Sequence, residues 1–343
     1  TTEIYTLSLH DALPILCVTL IALLGGCTST SVTEKYQDKR NDIINVKDKV
    51  IEFETGNVLI GSVSRLYMSN KCLLIADHKS VDKQIHIFNK NDFSYLTSIG
   101  NFGEGPEEIT VMGCLAIDEA HHQLYVSDHA KQKIFSYDMD SVMVDSLYKP
   151  QVKTAMNETL FPSEYQYIND TLSIAVLIKP TSTSTFNQFL GRWNMNTGEM
   201  IPMKYTHPDI QKKRITFAAS EKAGIYVECY TRHDLMTICS LDGELLYNIY
   251  GPDWDGGNGN KLQSFGTVMI GNDKIFVSYC GEDYARDSFP TKILVFDLEG
   301  NYLKTLETGY KISDCCYDSF NNRIILSLND VVQFAYLDID GII

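Results

Sequence analysis

The sequence predicts an all-β protein: a six-bladed β-propeller of four-stranded antiparallel blades, its ring closed by an N-terminal strand. Two observations carry this. A polar turn between alternating runs recurs six times, as NKND at 89, DMDS at 138, NMNTG at 194, SLDG at 240, DLEG at 297 and DIDG at 338. Asp or Asn followed by Gly between alternating runs is a strong hairpin signal, and the mean spacing of about 50 residues suits one blade per turn. The composition agrees, with 20 Tyr, 15 Phe and abundant Val and Ile among 343 residues and no Ala-rich or Leu/Glu/Lys-rich helical block.

Taken in order, residues 15–26 (ILCVTLIALLGG) form an apolar run ending in small residues before Cys27. It is shorter than the roughly 20 residues a membrane-spanning helix needs and has the shape of a cleaved signal. Residues 1–26 are therefore expected to be a signal peptide. Its first 14 residues are expected to be non-native, because the first cation is Lys35 whereas a secretory start is basic. Those residues also look like translated sequencing adapter. Residues 27–45 are polar and read as a tether, leaving 46–343 for the propeller.

Within 46–343 the repeats align. LAIDEAHHQLYVSDHAKQKIFSYDMD (115–140) matches DSFNNRIILSLNDVVQFAYLDID (318–340), and CLLIADHKSVDKQIHIFNKND (72–92) matches from its second strand onward. Each unit holds four strands, a to d from the axis outward. The last unit stops just after its c-to-d turn, and KVIEFE (49–54), which has no blade of its own, is expected to supply the missing outer strand and close the ring.

Charge and cysteine content narrow the function classes. The formal charge is −15, and removing residues 1–26, which carry Glu3 and Asp11 and no Lys or Arg, leaves −13. Such a surface repels phosphate backbones, so no nucleic-acid partner is expected. The densest basic run, Lys212-Lys213-Arg214, reads as a solvated turn. Besides Cys17 and Cys27, seven cysteines follow without CxxC spacing and mostly in apolar strand-like runs, which reads as small buried hydrophobes; a Cys315–Cys316 bridge is the lesser alternative.

The Gly-rich segment Gly100-Asn-Phe-Gly103-Glu-Gly105-Pro106 lacks the GK[ST] of a phosphate loop and the GxGxxG spacing, and Pro106 removes a backbone donor. It reads as the link from the first blade to the second, with Gly103, Gly105, Pro106 and Glu107 shaping a rim. PDWDGGNGN (252–260) departs from a calcium loop at its fifth and sixth places, Gly257 and Asn258, and His121-His122 falls on Asn321-Asn322 of the last repeat, within a turn. Asp77-His78 and Asp128-His129 occupy matching positions at the end of strand b, where an Asp tying down a turn competes with a ligand-facing role. Asp118 and Asp318 fall in outer turns. No Ser/His/Asp or Cys/His set appears, so no catalytic residue, metal or cofactor is expected.

The longest links, 251–264 and 281–291, belong to one blade and open on one face, where binding residues of a rigid ring concentrate. Trp254 and Tyr284 are the expected stacking platforms, and Asp253, Asp255, Asp283, Arg286 and Asp287 the polar contacts, for a sugar or peptide.

The lipobox-like Leu24-Gly25-Gly26-Cys27, the GxGPxE element Gly103–Glu108 and the LYVSD strand at 124–128 resemble the six-bladed propeller lipoproteins of the TolB-like superfamily, with NHL-type repeats as looser relatives, frequent in Gram-negative gut bacteria. The resemblance implies acylation at Cys27 and an outer-membrane location, facing the periplasm or the surface. It transfers no catalytic residue. The expected function is non-catalytic binding of a small ligand, glycan, peptide or envelope protein by a monomer attached to the membrane through lipid alone. The alternatives are a metal-dependent, lactonase-like hydrolase, which would need inward-facing Glu, Asp and Asn in the central channel, and a structural partner in envelope assembly.

Overall fold

The computed structural model describes residues 33–145, 147–257 and 262–343. The signal, Cys27 and the first part of the expected tether lie outside these residues. Three short N-terminal strands, β1 (Glu34–Tyr36), β2 (Ile43–Asn45) and β3 (Val50–Glu52), precede the blades. Blade 1 holds β4 (Ser64–Met68), β5 (Cys72–Asp77), β6 (Lys83–Asn89) and β7 (Tyr95–Asn101), and blade 2 holds β8 (Met112–Asp118), β9 (Gln123–Asp128), β10 (Lys133–Asp138) and β11 (Gln151–Ala155). Blade 3 is β12 (Phe161–Asn169), β13 (Leu172–Pro180), β14 (Phe186–Trp193) and β15 (Met200–Pro202); blade 4 is β16 (Ile215–Ser220), β17 (Ile225–Tyr230), β18 (Leu235–Ser240) and β19 (Leu245–Tyr250). Blade 5 is β20 (Leu262–Gly271), β21 (Lys274–Asp283), β22 (Lys292–Asp297) and β23 (Tyr302–Glu307), and blade 6 is β24 (Ile312–Asp318), β25 (Arg323–Leu328) and β26 (Phe334–Asp338).

Alternation explains how each blade is held. In β5 every residue is buried, yet Leu73 and Ile75 pack toward blade 6 while Cys72, Leu74 and Ala76 pack toward blade 2. Successive side chains leave opposite faces of a strand, so a middle strand feeds two interfaces at once. Six apolar clusters result, one in each blade-to-blade interface. Each fully buried Leu, Ile, Val or Phe contributes about 1.5–3 kcal/mol. All seven described cysteines are free and buried, Cys315 and Cys316 included, and act as small hydrophobes in these layers.

Closure follows the expected route. Blade 6 receives β3 as its outer strand, antiparallel to β26 with Ile51 opposite Tyr336. Phe53 then stacks on Phe93 of blade 1 at 3.9 Å and lies 5.9 Å from Phe334 of blade 6, so the closing strand is fixed to both neighbours.

Three expectations change. The described part of the expected tether is folded: β1 pairs in parallel with β19 and β2 in parallel with β23, giving blades 4 and 5 a fifth strand. Its polar sequence holds by main-chain pairing and by side chains such as Glu34, which accepts from Asn248 Nδ2 and the Tyr250 hydroxyl. The DMDS position is no tight hairpin, because Asp138 caps Ser141 N and starts a short helix, α1 (Met139–Val144), that buries Val142. Finally, Lys213 is no solvated residue; it is buried and donates to Glu228 Oε1 at 2.7 Å.

Candidate functional site

The inner strands β4, β8, β12, β16, β20 and β24 surround a central channel of about 1420 Å³. Since β-strands in a blade are antiparallel, the links between blades and the b-to-c turns share one face, and the channel is lined there by Val63, His78, Phe102, Val111, His129 and Phe289.

Three of its charged side chains, Arg65, Glu164 and Asp314, are bonded within the protein, while Lys79 is exposed at the lining. Arg65 Nη1 of blade 1 donates to Glu164 Oε1 of blade 3 at 2.8 Å. Asp314 of blade 6 accepts from Leu66 N at 2.8 Å and Thr267 Oγ1 at 2.7 Å; burial pushes its carboxyl above the usual range, against these bonds and the nearby Arg65. Burial also pushes His78 and His129 below the ordinary imidazole value, Arg65 adding to the effect on His78. Burial therefore favours the neutral form of both rings. The Cys114 thiol is pushed up to about 11 by burial and lies 3.4 Å from Tyr165 O, so it is no thiolate nucleophile.

The neutral groups are not matched. Tyr67 Oη, His78 Nε2, Gln84 Oε1, His129 Nε2 and Tyr165 Oη are covered and make no hydrogen bond of good geometry within the protein, Tyr67 lying near Leu115 N and Tyr165 near Ser127, and all five residues line the channel. They come from blades 1, 2 and 3; among the described residues, no such group from blades 4 to 6 lines it. Ser127, beside Tyr165, is already engaged with both the N–H and the carbonyl of Cys114. These atoms are covered by neighbouring groups, so they lie just behind the channel surface on the side of blades 1 to 3.

The residues expected from the long loops lie outside the channel lining, each against other groups of the protein. Trp254 is half-buried, wedged 5.0 Å from the Tyr250 ring, 5.7 Å from His207 and 6.0 Å from His233. Tyr284 is 46% exposed, with the Arg232 guanidinium 4.0 Å from its ring centre. Asp253 Oδ2 accepts from the Tyr279 hydroxyl at 3.4 Å, Asp255 lies 3.8 Å from His233 Nδ1, and Asp283 caps Ala285 N at 2.9 Å. Arg286 pairs with Glu282 at 3.0 Å, and Asp287 closes the turn in a left-handed conformation, φ 49°.

The Gly-rich link holds a cation of the protein's own. Lys131 Nζ donates to the carbonyls of Gly103, Gly105 and Glu108 at 3.3, 2.6 and 2.5 Å, and Thr110 Oγ1 donates to Gly103 O at 2.7 Å. Carbonyls facing inward are the opposite polarity from a phosphate cradle. Glu107 pairs with Lys149 at 2.7 Å, and a Cβ at Gly103 would fall on the Glu108 carboxylate that accepts from Gly105 N. Of this link Phe102, Thr110 and Val111 line the channel, while Gly103, Gly105, Pro106 and Glu107 do not.

In the Asp-His pairs the Asp ties down a turn, as one reading had it, and the His lines the channel. Asp128 accepts from the N–H groups of Thr110, Val111, Ala130 and Lys131, and Asp77 from those of Gly61 and Lys79, while His129 and His78 line the channel. His121 and His122 form a turn as expected: His122 has φ 53° where Asn322 has 48°, and His121 Nδ1 bonds Asp118 at 2.9 Å. Asp118, His121 and Asp170 have metal-ligand spacing, on the opposite face from the link-side mouth. Repetition of Asp-His was the sequence signal for the wall; Tyr67, Gln84 and Tyr165 carried none.

The model of a family described as a six-bladed β-propeller, DUF5128, matches residues 28–187. The fold is the one the repeats predicted. A Bacteroides fragilis protein described as exported superposes with a TM-score of 0.57 at 13% identity, covering 89% of this chain and 98% of its own. A member of the DUF4221 family from Bacteroides vulgatus gives 0.59 at 11% identity, with 88% and 98% covered. The β-propeller domain of Cps50 (Swd1) from Myceliophteria thermophila gives 0.51 at 10%, with 82% and 98% covered. At these identities the likeness is of fold alone. No curated protein matches.

Proposed function

We propose that this chain is an exported, lipid-anchored propeller of the cell envelope that binds a ligand in its central channel, entered from the link-rich face, without catalysis. One observation carries the reading: a channel of about 1420 Å³ lined by residues from the inner strands of all six blades. The carboxylates a channel metal would need, Glu164 and Asp314, are engaged by Arg65 and Thr267, which favours binding over metal-dependent hydrolysis. Export is supported by the apolar run before Cys27 and by the description of the Bacteroides fragilis relative. The Trp254 and Tyr284 loops, their rings already in contact with protein groups, are the weaker candidate surface.

Ser313, exposed on the blade 6 side of the channel, offers a test. A thermal-shift screen of glycans and peptides should find a ligand that stabilises the wild type and no longer stabilises Ser313→Trp. A ligand that shifts both proteins equally binds elsewhere and overturns the channel reading. Cys27→Ala, behind a restored basic signal, should lose metabolic labelling with palmitate; retained labelling overturns the anchor.

A further inference from the structure

We propose that Asp118, His121 and Asp170 bind one divalent cation of the zinc class between blades 2 and 3, on the face of the a-to-b and c-to-d turns. Two repeats of the fold differ there in charge. In blade 6 the buried Asp318 ends strand a and meets two cations, Lys90 Nζ of the blade 1 c-to-d turn at 3.1 Å and Arg323 Nε at 3.3 Å. Asn321 completes the turn, its N–H donating to Oδ1 and its Nδ2 to Oδ2. Blade 2 repeats this frame: the buried Asp118 ends strand a, with His121 N at Oδ1 and His121 Nδ1 at Oδ2. Neither cation has a counterpart. Gln123 replaces Arg323 as the first residue of strand b. Met195 replaces Lys90 in the following blade, where the two c-to-d turns correspond through Phe93 N to Asn89 O and Gly198 N to Asn194 O. A second carboxylate, Asp170 of the blade 3 a-to-b turn, instead comes within 4.0 Å of His121 Nδ1.

Blade 6 thus sets two cations against one carboxylate, and blade 2 sets one imidazole against two. A covered carboxylate is costly without a counter-charge. Among the described residues neither Asp118 nor Asp170 pairs with Lys or Arg; Lys153 is exposed, with Nζ 5.5 Å from the Tyr125 ring. The Tyr125 hydroxyl donates to Asp118 Oδ2 at 3.2 Å and the Tyr167 hydroxyl to Asp170 Oδ1 at 2.7 Å, neutral donors that orient both carboxylates as outer partners of metal ligands do. The three ligand atoms lie within 4.8 Å of one another. Nδ1 stands 2.9 Å from Asp118 Oδ2 and 4.0 Å from Asp170 Oδ1, either side of the edge of about 3.3 Å in a tetrahedron with bonds of roughly 2.0–2.1 Å. The ion enters where the proton between Nδ1 and Asp118 now lies, and that proton leaves to solvent. His121 and Asp170 have side chains 57% and 63% exposed, which gives the ion its route and leaves a fourth place for water. One imidazole and two carboxylates suit zinc, whereas calcium takes about six to eight oxygens.

Isothermal titration of the EDTA-treated and dialysed mature protein with zinc chloride tests this, beside calcium chloride. Zinc should bind at one ion per chain and raise the unfolding midpoint. His121→Asn, which copies blade 6 and so keeps the turn, and Asp170→Asn, at an exposed side chain, should each weaken zinc at least tenfold and abolish the rise. Gln123→Arg, which supplies the missing guanidinium, should weaken it as strongly. His122→Asn should bind zinc as the wild type does, because His122 pairs with Asp140 at 2.7 Å and lies outside the set. Failure to saturate at one zinc per chain overturns the site, as does unchanged affinity in His121→Asn or Asp170→Asn. Equal weakening by His122→Asn would place the ion on a surface histidine pair and overturn it too. Calcium binding more tightly than zinc would overturn the assignment of the ion.

Discussion

Arg40 Nη1 donates to Asp234 Oδ1 at 2.8 Å, and both side chains are buried. The pair joins the N-terminal belt between β1 and β2 to the b-to-c turn of blade 4, across 194 positions of sequence. The guanidinium also lies 5.5 Å from the Tyr279 ring and 5.7 Å from the rings of Phe265 and Phe296. Removing one partner of a buried pair leaves a desolvated charge and costs about 3–5 kcal/mol. Arg40→Met should therefore lower stability by that amount in urea unfolding, and Arg40→Met with Asp234→Leu should recover most of it. Gly251→Ala should act in the same direction, since a Cβ there would fall on the Asp234 carboxylate.

Phe53→Ala should open the ring. It removes the stack on Phe93 and the contact with Phe334, both in the interface where the first and last blades meet. A Phe→Ala change in a core costs about 3–5 kcal/mol, and a freed β26 edge invites pairing between chains. Chemical denaturation together with light scattering should show both effects; a monodisperse variant of unchanged stability would mean that β3 does not close the ring.

Lys131→Met should cost about 1–3 kcal/mol, because the carbonyls of Gly103, Gly105 and Glu108 lose a partly buried charged donor. Hydrogen exchange should localise the loosening to residues 102–111. Gly103→Ala should reproduce it by displacing the Glu108 carboxylate.

Acidification should destabilise the fold. Burial holds His78, His86, His129, His207 and His233 below the ordinary imidazole value. The unfolded chain then binds more protons than the folded one as pH falls through the usual imidazole range, so stability rises with pH there and is lost on descent. His121 works the other way, its value raised by the Asp118 hydrogen bond, but it is exposed and its effect is small. The unfolding midpoint should fall between about pH 7.5 and pH 5.5, and His78→Gln with His129→Gln should flatten the slope.

Much of the architecture was legible because its determinants are local. Asp297-Leu-Glu-Gly300 turns because Asp297 accepts from Glu299 N and Asn301 N and Gly300 takes φ 80°, all within five residues. The helix at Met139–Val144 hid behind a similar opening, since Asp138 can begin a hairpin or cap a helix and the buried position of Val142 decides which. The Trp254 surface was read from loop length and residue type, and neither reveals that Tyr250, His207 and His233 would cover that ring.

By itself, the sequence determined six blades, their order, their seams and the closing role of residues 49–54, because period-two alternation and turn chemistry depend on near neighbours. Tertiary structure alone decided the belt of β1 and β2 and the polar wall of the channel. The belt is held by main-chain pairing and by polar side chains such as Glu34 and Arg40, which leave little apolar signature in residues 34–45. The wall gathers Tyr67, His78, Gln84, His129 and Tyr165 from three blades around one axis, and which side of an inner strand meets that axis depends on the tilt of the blades once the ring has shut.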